Sequence, residues 1–324
     1  MDRDSLWRDL LSGAGAGIIA RGLTHPIDTV KARLQVQQSI VRHAAVAGVR
    51  PYTGIASGLT RLVVEEGARG AFRGFGAVLA CTAPANALYF ASYEKSKTAL
   101  GPILGDSSTT YMVSGLVAQF FAGLIFTPMD VIKERLQVQE MVHRAQPNAR
   151  MHAGSLRAAV DIIRMQGPLA LFTGYGATLM VWGPYNMIYF PVYEKLKKTY
   201  AAVKGGWLPG DKIRLGDDEI EVIKDRFLPV EIAACAMAGS AVSTVATSPM
   251  DVIKTRLQAL EKQSGGGTYQ QVWHGLKADG IAKSLRMGMA ARVCTIVPQA
   301  AITFFAYEFI RLTLSSDSDM KGMA

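Results

Sequence analysis

The sequence predicts an all-α membrane protein made of three pseudo-symmetric repeats, each of two long helices joined by a polar linker. Three observations carry this. The chain repeats itself: residues 26–35 read PIDTVKARLQ, 128–137 PMDVIKERLQ and 249–258 PMDVIKTRLQ. A second triplet follows, in which Pro84, Pro184 and Pro298 each stand nine residues ahead of a Tyr-Glu pair (Tyr93-Glu94, Tyr193-Glu194, Tyr307-Glu308), with a base at Lys97, Lys197 and Arg311. Two motifs at matching offsets in three copies mark a repeat architecture. Small residues recur four apart, at Gly13 and Gly17, at Ser114, Ala118 and Ala122, and at Cys235 and Gly239, the spacing at which membrane helices approach closely. The loops are also asymmetric in charge. Net charge is +2 over 38–72, +3 over 141–172 and +2 over 259–287, whereas 99–108 has no Lys or Arg and 199–227 is slightly acidic, so the intra-repeat linkers share one side.

The elements follow in order. First arms at 6–38, 108–140 and 228–260 and second arms at 73–99, 173–199 and 287–313 read as helices. Linkers such as 39–72, with Gly48, Pro51, Gly54 and Gly67, leave room for a short amphipathic helix. Repeats at 1–105, 106–208 and 228–324 result, with a charged loop at 209–227 before the third. Composition agrees. Of 324 residues 49% are hydrophobic and 19% charged, which excludes disorder, and three cysteines without a CxxC pair exclude a disulfide scaffold. Mean hydropathy of +0.17 is low for helices that face only lipid. Met1-Asp2-Arg3-Asp4 lacks the acid-poor character of a transit peptide, so an internal targeting signal is expected.

A polar stripe explains the low hydropathy. Gly17, Arg21, Thr24, Asp28, Lys31 and Gln35 are spaced alternately four and three apart, and therefore share one face of the first helix. Such a face must meet protein or water, and three copies bring three stripes to a common axis. Each Asp precedes a Lys by three residues, so the acid of one repeat can meet the base of another: Asp28 with Lys133, Asp130 with Lys254, Asp251 with Lys31. A second ring can be drawn from Glu94 with Lys197, Glu194 with Arg311 and Glu308 with Lys97. Two ionic rings suit alternating access better than a static lock, which needs only one.

These segments resemble the Px[DE]xx[KR]x[KR] signature of the mitochondrial carrier family in all three copies, over essentially residues 8–313. The resemblance implies six transmembrane helices, short matrix amphipathic helices, and multi-pass residence in the mitochondrial inner membrane with both termini facing the intermembrane space. It implies a matrix gate at Asp28, Lys31, Asp130, Lys133, Asp251 and Lys254, braced by Gln35, Gln137 and Gln258. A cytoplasmic gate is implied at Tyr93, Glu94, Lys97, Tyr193, Glu194, Lys197, Tyr307, Glu308 and Arg311. A small-molecule substrate and the lipid bilayer, with cardiolipin, are the expected partners of a monomer that needs no cofactor. The third repeat departs from the pattern, because Asp279-Gly280 lies one residue farther from Gly288 than Gly67 does from Gly74.

Positions that break the threefold pattern should contact an asymmetric ligand. Arg21 stands where the other copies have Gly123 and Thr244, Gln119 where they have Gly17 and Ser240, and Arg292 where they have Val78 and Thr178. Arg21 and Arg292 are expected as unpaired cavity cations, two guanidinium groups suited to carboxylate or phosphate. The family's contact points fall near Cys81, near Val181-Trp182 and near Thr295, with Asn86 and Tyr185 beside them, and Trp182 is suited to stacking on a flat group. Packing is the competing reading for Trp182, and the expected one for the cysteines and for Met180 and Met187.

A transporter for a small anionic metabolite (nucleotide-, cofactor- or carboxylate-like) is the leading expectation. APANALYF at 83–90 is similar to the second-helix run of iron carriers with Asn86 in place of histidine, so iron or S-adenosylmethionine are the alternatives, with a local likeness to pyrimidine-nucleotide carriers. A non-transporting carrier-fold receptor is more distant, since it predicts degraded gates. No nucleophile–base set or metal set suggests an enzyme. The dispersed bases argue against nucleic acid.

Overall fold

A computed structural model describes residues 3–44, 52–105, 108–203, 229–259 and 269–321; the charged loop expected at 209–227 lies outside them. Those residues form helices and no strand. The long helices are α1 (Arg3–Ala44), α3 (Phe75–Leu104), α4 (Ser108–Ala145), α6 (Tyr175–Val203), α7 (Pro229–Ala259) and α9 (Ile281–Lys321). Three short ones occupy the linkers: α2 (Ile55–Ala71), α5 (Ser155–Gln166), continued by a 3₁₀ turn at Pro168–Phe172, and α8 (Tyr269–Asp279). The order long, short, long occurs three times. Phe75–Leu104, Met112–Ala145 and Ser284–Tyr307 are long and apolar enough to span a bilayer among the described residues. Helices continue through Pro26, Pro84, Pro128, Pro249 and Pro298, which membrane helices tolerate because neighbouring groups re-satisfy the freed backbone.

The chain packs into two compact units. One comprises Thr24–Asn186 and Thr244–Thr295, the other Met1–Leu23, Met187–Ser243 and Ile296–Ala324. In the first, each linker helix is seated on an apolar cluster of its own. Leu62 of α2 packs with Val30, Leu34, Val138 and Met141; Ala158 and Ile162 of α5 with Ala77, Val78, Met129 and Leu136; Val272 and Leu276 of α8 with Ala177, Val252 and Leu257. Each buried Leu or Ile contributes roughly 1.5–3 kcal/mol. Val64 of α2, Leu156 of α5 and Leu169 of the 3₁₀ turn are about 80% exposed, as suits amphipathic elements lying at a lipid interface.

In the second unit the close approach falls two residues from each expected end. A Cβ on Gly13 or Gly17 would meet open space, whereas one on Gly15 would lie 3.0 Å from Ile310 Cδ1. The GxxxG spacing was therefore misleading here: the face that meets a neighbour is centred on Gly15. A Cβ on Gly239 would lie 3.5 Å from the Tyr189 ring and 3.5 Å from Tyr193 Cβ, ordinary contact distance, and in the first unit Ser114, Ala118 and Ala122 are fully buried.

The irregular spacing in the third repeat has a structural consequence. The first two repeats each carry two positive-φ glycines, Gly67 (φ 65°) with Gly74 (φ 84°) and Gly167 (φ 83°) with Gly174 (φ 78°), whereas among the described residues the third carries Gly280 (φ 83°) and Gly288 is not at positive φ. From Ile281 the chain winds without interruption into the arm, so α9 begins six residues before the expected 287. The extra residue lengthens the connection enough to be absorbed as helix, and Gly288 becomes a packing glycine, where a Cβ would fall 2.3 Å from Val252 Cγ2. Gly74 combines both constraints, since its Cβ would also lie 3.0 Å from the Lys133 backbone. Gly74→Ala is expected to cost about 1–3 kcal/mol of backbone strain, read as a lowered thermal unfolding midpoint, while Gly13→Ala leaves it unchanged or raised.

Candidate functional site

In each PxDxxK segment the Asp and Lys, three residues apart, share a helix face but reach towards different neighbours. In the first unit this closes a cycle. Lys133 Nζ donates to Asp28 Oδ2 at 2.6 Å, Lys254 Nζ to Asp130 Oδ2 at 2.7 Å, and Lys31 Nζ lies 2.8 Å from Asp251 Oδ2. The six side chains are 8–19% exposed. Gln35 donates to Asp251 Oδ2 at 3.2 Å and so braces one pair, while Gln258 is engaged by Thr178 Oγ1 at 3.2 Å. Gln137 contributes its carbonyl, which accepts from Arg33 Nε at 2.9 Å.

A second charged layer, absent from the expected site, lies beside the ring. Arg33 is 1% exposed and is held by Glu66, with Nη2 2.9 Å from Oε2, and by Tyr52 Oη at 2.8 Å. Arg256 Nη1 pairs with Asp279 at 2.8 Å and its Nε donates to the Gln35 carbonyl at 2.9 Å; Arg135 Nη2 donates to Gln166 Oε1 at 3.0 Å. The signal was available: these arginines are the second base of each signature, and their partners precede Gly67, Gly167 and Gly280. Single residues of α1 fasten the chain entering α3. Thr29 Oγ1 donates to Ala71 O at 3.0 Å, and His25 Nε2 donates to Arg73 O at 3.0 Å between the rings of Phe72 and Phe75.

Arg292 requires a correction. It is 1% exposed, its Nη1 donates to Thr247 Oγ1 at 2.8 Å, and its Nε stands 3.6 Å from Asp251 Oδ1. The expected free cation therefore belongs to the ring, because its long side chain reaches the carboxylate that also holds Lys31. Arg21, in the other unit, is engaged in an interaction of its own, so neither guanidinium is unpaired. Arg292 Nη2 still has no hydrogen-bond partner. Its Cζ lies 6.0 Å from the Tyr185 ring, Tyr185 meets Trp182 edge to face at 5.4 Å, and Lys254 Nζ stands 6.0 Å from the Trp182 ring. Two aromatic rings and two cations thus meet at the ring.

The other expected contacts are placed less directly. Gln119 and Val181 are buried, Asn86 is exposed, and Thr295 Oγ1 is spent on its own helix, donating to Ala291 O at 2.9 Å. Cys81 packs against the Val78 and Ile132 cluster. Of the second ring, the side chains of Glu194, Glu308 and Arg311 lie outside the described residues. Its tyrosines form stacks: Tyr93 on Tyr89 at 6.5 Å, and Tyr193 on Tyr189 at 5.8 Å with Lys197 Nζ 5.2 Å from the Tyr193 ring.

At the rim, Glu65 of α2 accepts from Arg61 Nε at 2.7 Å and from Arg144 of α4, and Arg73 Nη1 lies 3.1 Å from both Glu66 and Glu140. The hydrogen bonds from Arg61 and Arg144 hold the Glu65 carboxyl below the usual carboxylate range, so this contact weakens as pH falls through that depressed value.

Three two-helix repeats joined by a closed ring of acid–base pairs define a threefold helical membrane protein. The chain belongs to the mitochondrial carrier family: it matches the mitochondrial carrier protein family over residues 2–103, 105–204 and 226–318. It is 34% identical over 311 residues to mitochondrial substrate carrier family protein E of Dictyostelium discoideum, covering 93% of this chain and 94% of that one. It is 29% identical over 314 residues to the succinate/fumarate mitochondrial transporter of Saccharomyces cerevisiae, covering 94% and 90%. To a mitochondrial adenyl nucleotide antiporter of Homo sapiens it is 29% identical over 319 residues, 96% of this chain and 60% of that longer protein. The protein is thus a multi-pass transporter of the mitochondrial inner membrane that carries a small molecule.

Proposed function

We propose that this carrier moves a small anionic metabolite by alternating access, with Asp28, Lys31, Asp130, Lys133, Asp251 and Lys254 as the matrix-side gate. The observation that carries this reading is the closed cycle of three ion pairs at 2.6–2.8 Å, one per repeat boundary. Ion pairs of this kind contribute about 0–1 kcal/mol each when partly exposed, so a ligand that prefers one state can reverse them. The Tyr-Glu-x-x-base segments form the opposing, cytoplasmic gate. The linkers with their positive charge face the matrix, the termini face the intermembrane space, and the carrier works as a monomer in contact with cardiolipin.

Arg292, Tyr185 and Trp182 form the substrate end of this gate. Arg292 keeps an unused buried donor at Nη2, which a carboxylate or phosphate satisfies, and the two rings offer a flat apolar face. The relatives named for adenyl nucleotides and for succinate and fumarate, all anions, support the anionic class. Binding of such a group competes with Asp251 for Arg292 and so couples the ligand to the ring.

The test is uptake by purified protein in proteoliposomes, run over nucleotides, di- and tricarboxylates, S-adenosylmethionine and Fe(II). Uptake of one anion class is expected, reduced about 10–100-fold by Arg292→Ala, the loss from removing one charge-assisted hydrogen-bonding group of about 1.5–3 kcal/mol. Uptake of Fe(II) alone, unaffected by Arg21→Ala, sinks the anionic reading.

A further inference from the structure

The second signature carries a carboxylate that the threefold pattern does not call for. Glu134 follows Lys133 directly, where the other copies have Ala32 and Thr255. It lies one helical turn beyond Asp130 on the same face, and its Oε2 is buried without a hydrogen-bond partner. The charges acting on it are the ammonium groups of Lys133, Lys31 and Lys254, together with Asp130. One carboxylate therefore senses all three lysines while each is held by an aspartate.

A buried acceptor without a donor is costly, and here the cost lasts only while the ring is closed. A lysine that leaves its aspartate finds Glu134 waiting. We propose that Glu134 is a second acceptor for the lysine ring, a positioning residue that takes a released lysine and thereby favours the open gate over the closed one. This rests on the reading of the ring as a gate. Glu134→Gln keeps the shape and removes the charge, so it should slow uptake on the order of tenfold while leaving the thermal unfolding midpoint unchanged or raising it. A merely structural carboxylate would lower both. A fall in both, or an unchanged uptake rate, overturns the proposal. Asp251→Asn in the same preparation separates the two readings: if it too leaves uptake unchanged, the ring is not a gate, whereas a slowed Asp251→Asn beside an unaffected Glu134→Gln rejects Glu134 alone.

Discussion

Asp251→Asn is expected to lower uptake about 100-fold, the effect of about 2.7 kcal/mol on a barrier, and to do so more severely than Asp28→Asn or Asp130→Asn. Asp251 is where the threefold ring meets its asymmetric addition. Its Oδ2 takes Lys31 at 2.8 Å and Gln35 at 3.2 Å, and its Oδ1 faces Arg292 at 3.6 Å. Neutralising it leaves two cations beside one another with little water, and a buried charge stripped of its partner is strongly destabilising. Asp28 and Asp130 hold Lys133 and Lys254, so their loss strands one cation each. A charge swap sharpens the comparison. Lys31→Asp with Asp251→Lys restores the pair but places a lysine against Arg292, so it should recover less uptake than Asp28→Lys with Lys133→Asp. Equal recovery by the two swaps would show that Arg292 is not coupled to the ring.

Arg33→Ala is expected to cost about 3 kcal/mol of stability, at the lower end for breaking a buried ion pair because Arg73 remains 3.1 Å from Glu66. The Arg33 guanidinium joins three elements at once: Glu66 of α2, Tyr52 before it, and the Gln137 carbonyl of α4. Arg135 occupies the same place in the second repeat, but its partner there is the neutral Gln166, so Arg135→Ala should cost only about 1–2 kcal/mol. Thermal unfolding of the purified protein in detergent gives both values. Arg33→Met combined with Glu66→Gln should regain much of the loss, since the stranded carboxylate is then gone. If Arg135→Ala proves as damaging as Arg33→Ala, packing rather than charge holds these arginines.

Much of the ring was legible because a threefold repeat supplies its own alignment. Once Asp28, Asp130 and Asp251 are matched, the acid of one copy can be set against the base of the next, and the three pairings drawn this way are the three that form. The second arginine layer was visible in the same motifs but went unread, because a base two residues beyond Lys31 falls on a different helix face and its partner lies some thirty residues away on the linker helix. Gly13 and Gly17 show the opposite error, since a spacing common at helix contacts says nothing about whether a neighbour is present on that face.

The sequence by itself determined the number of repeats, the helical class, the family and the identity of the ring, all of which depend on periodicities of three, four and about one hundred residues. The tertiary structure decided how the asymmetric residues are used. Arg292 was read as an unpaired cation because it breaks the threefold pattern and no carboxylate stands at a comparable depth in the aligned helices. Asp251, on a different helix, supplies the carboxylate, and only folding brings the two within 3.6 Å. The same holds for Glu134, whose meaning depends on lysines of three repeats. Local pattern specifies which face a side chain occupies, but the field it experiences is set by groups far away in the chain.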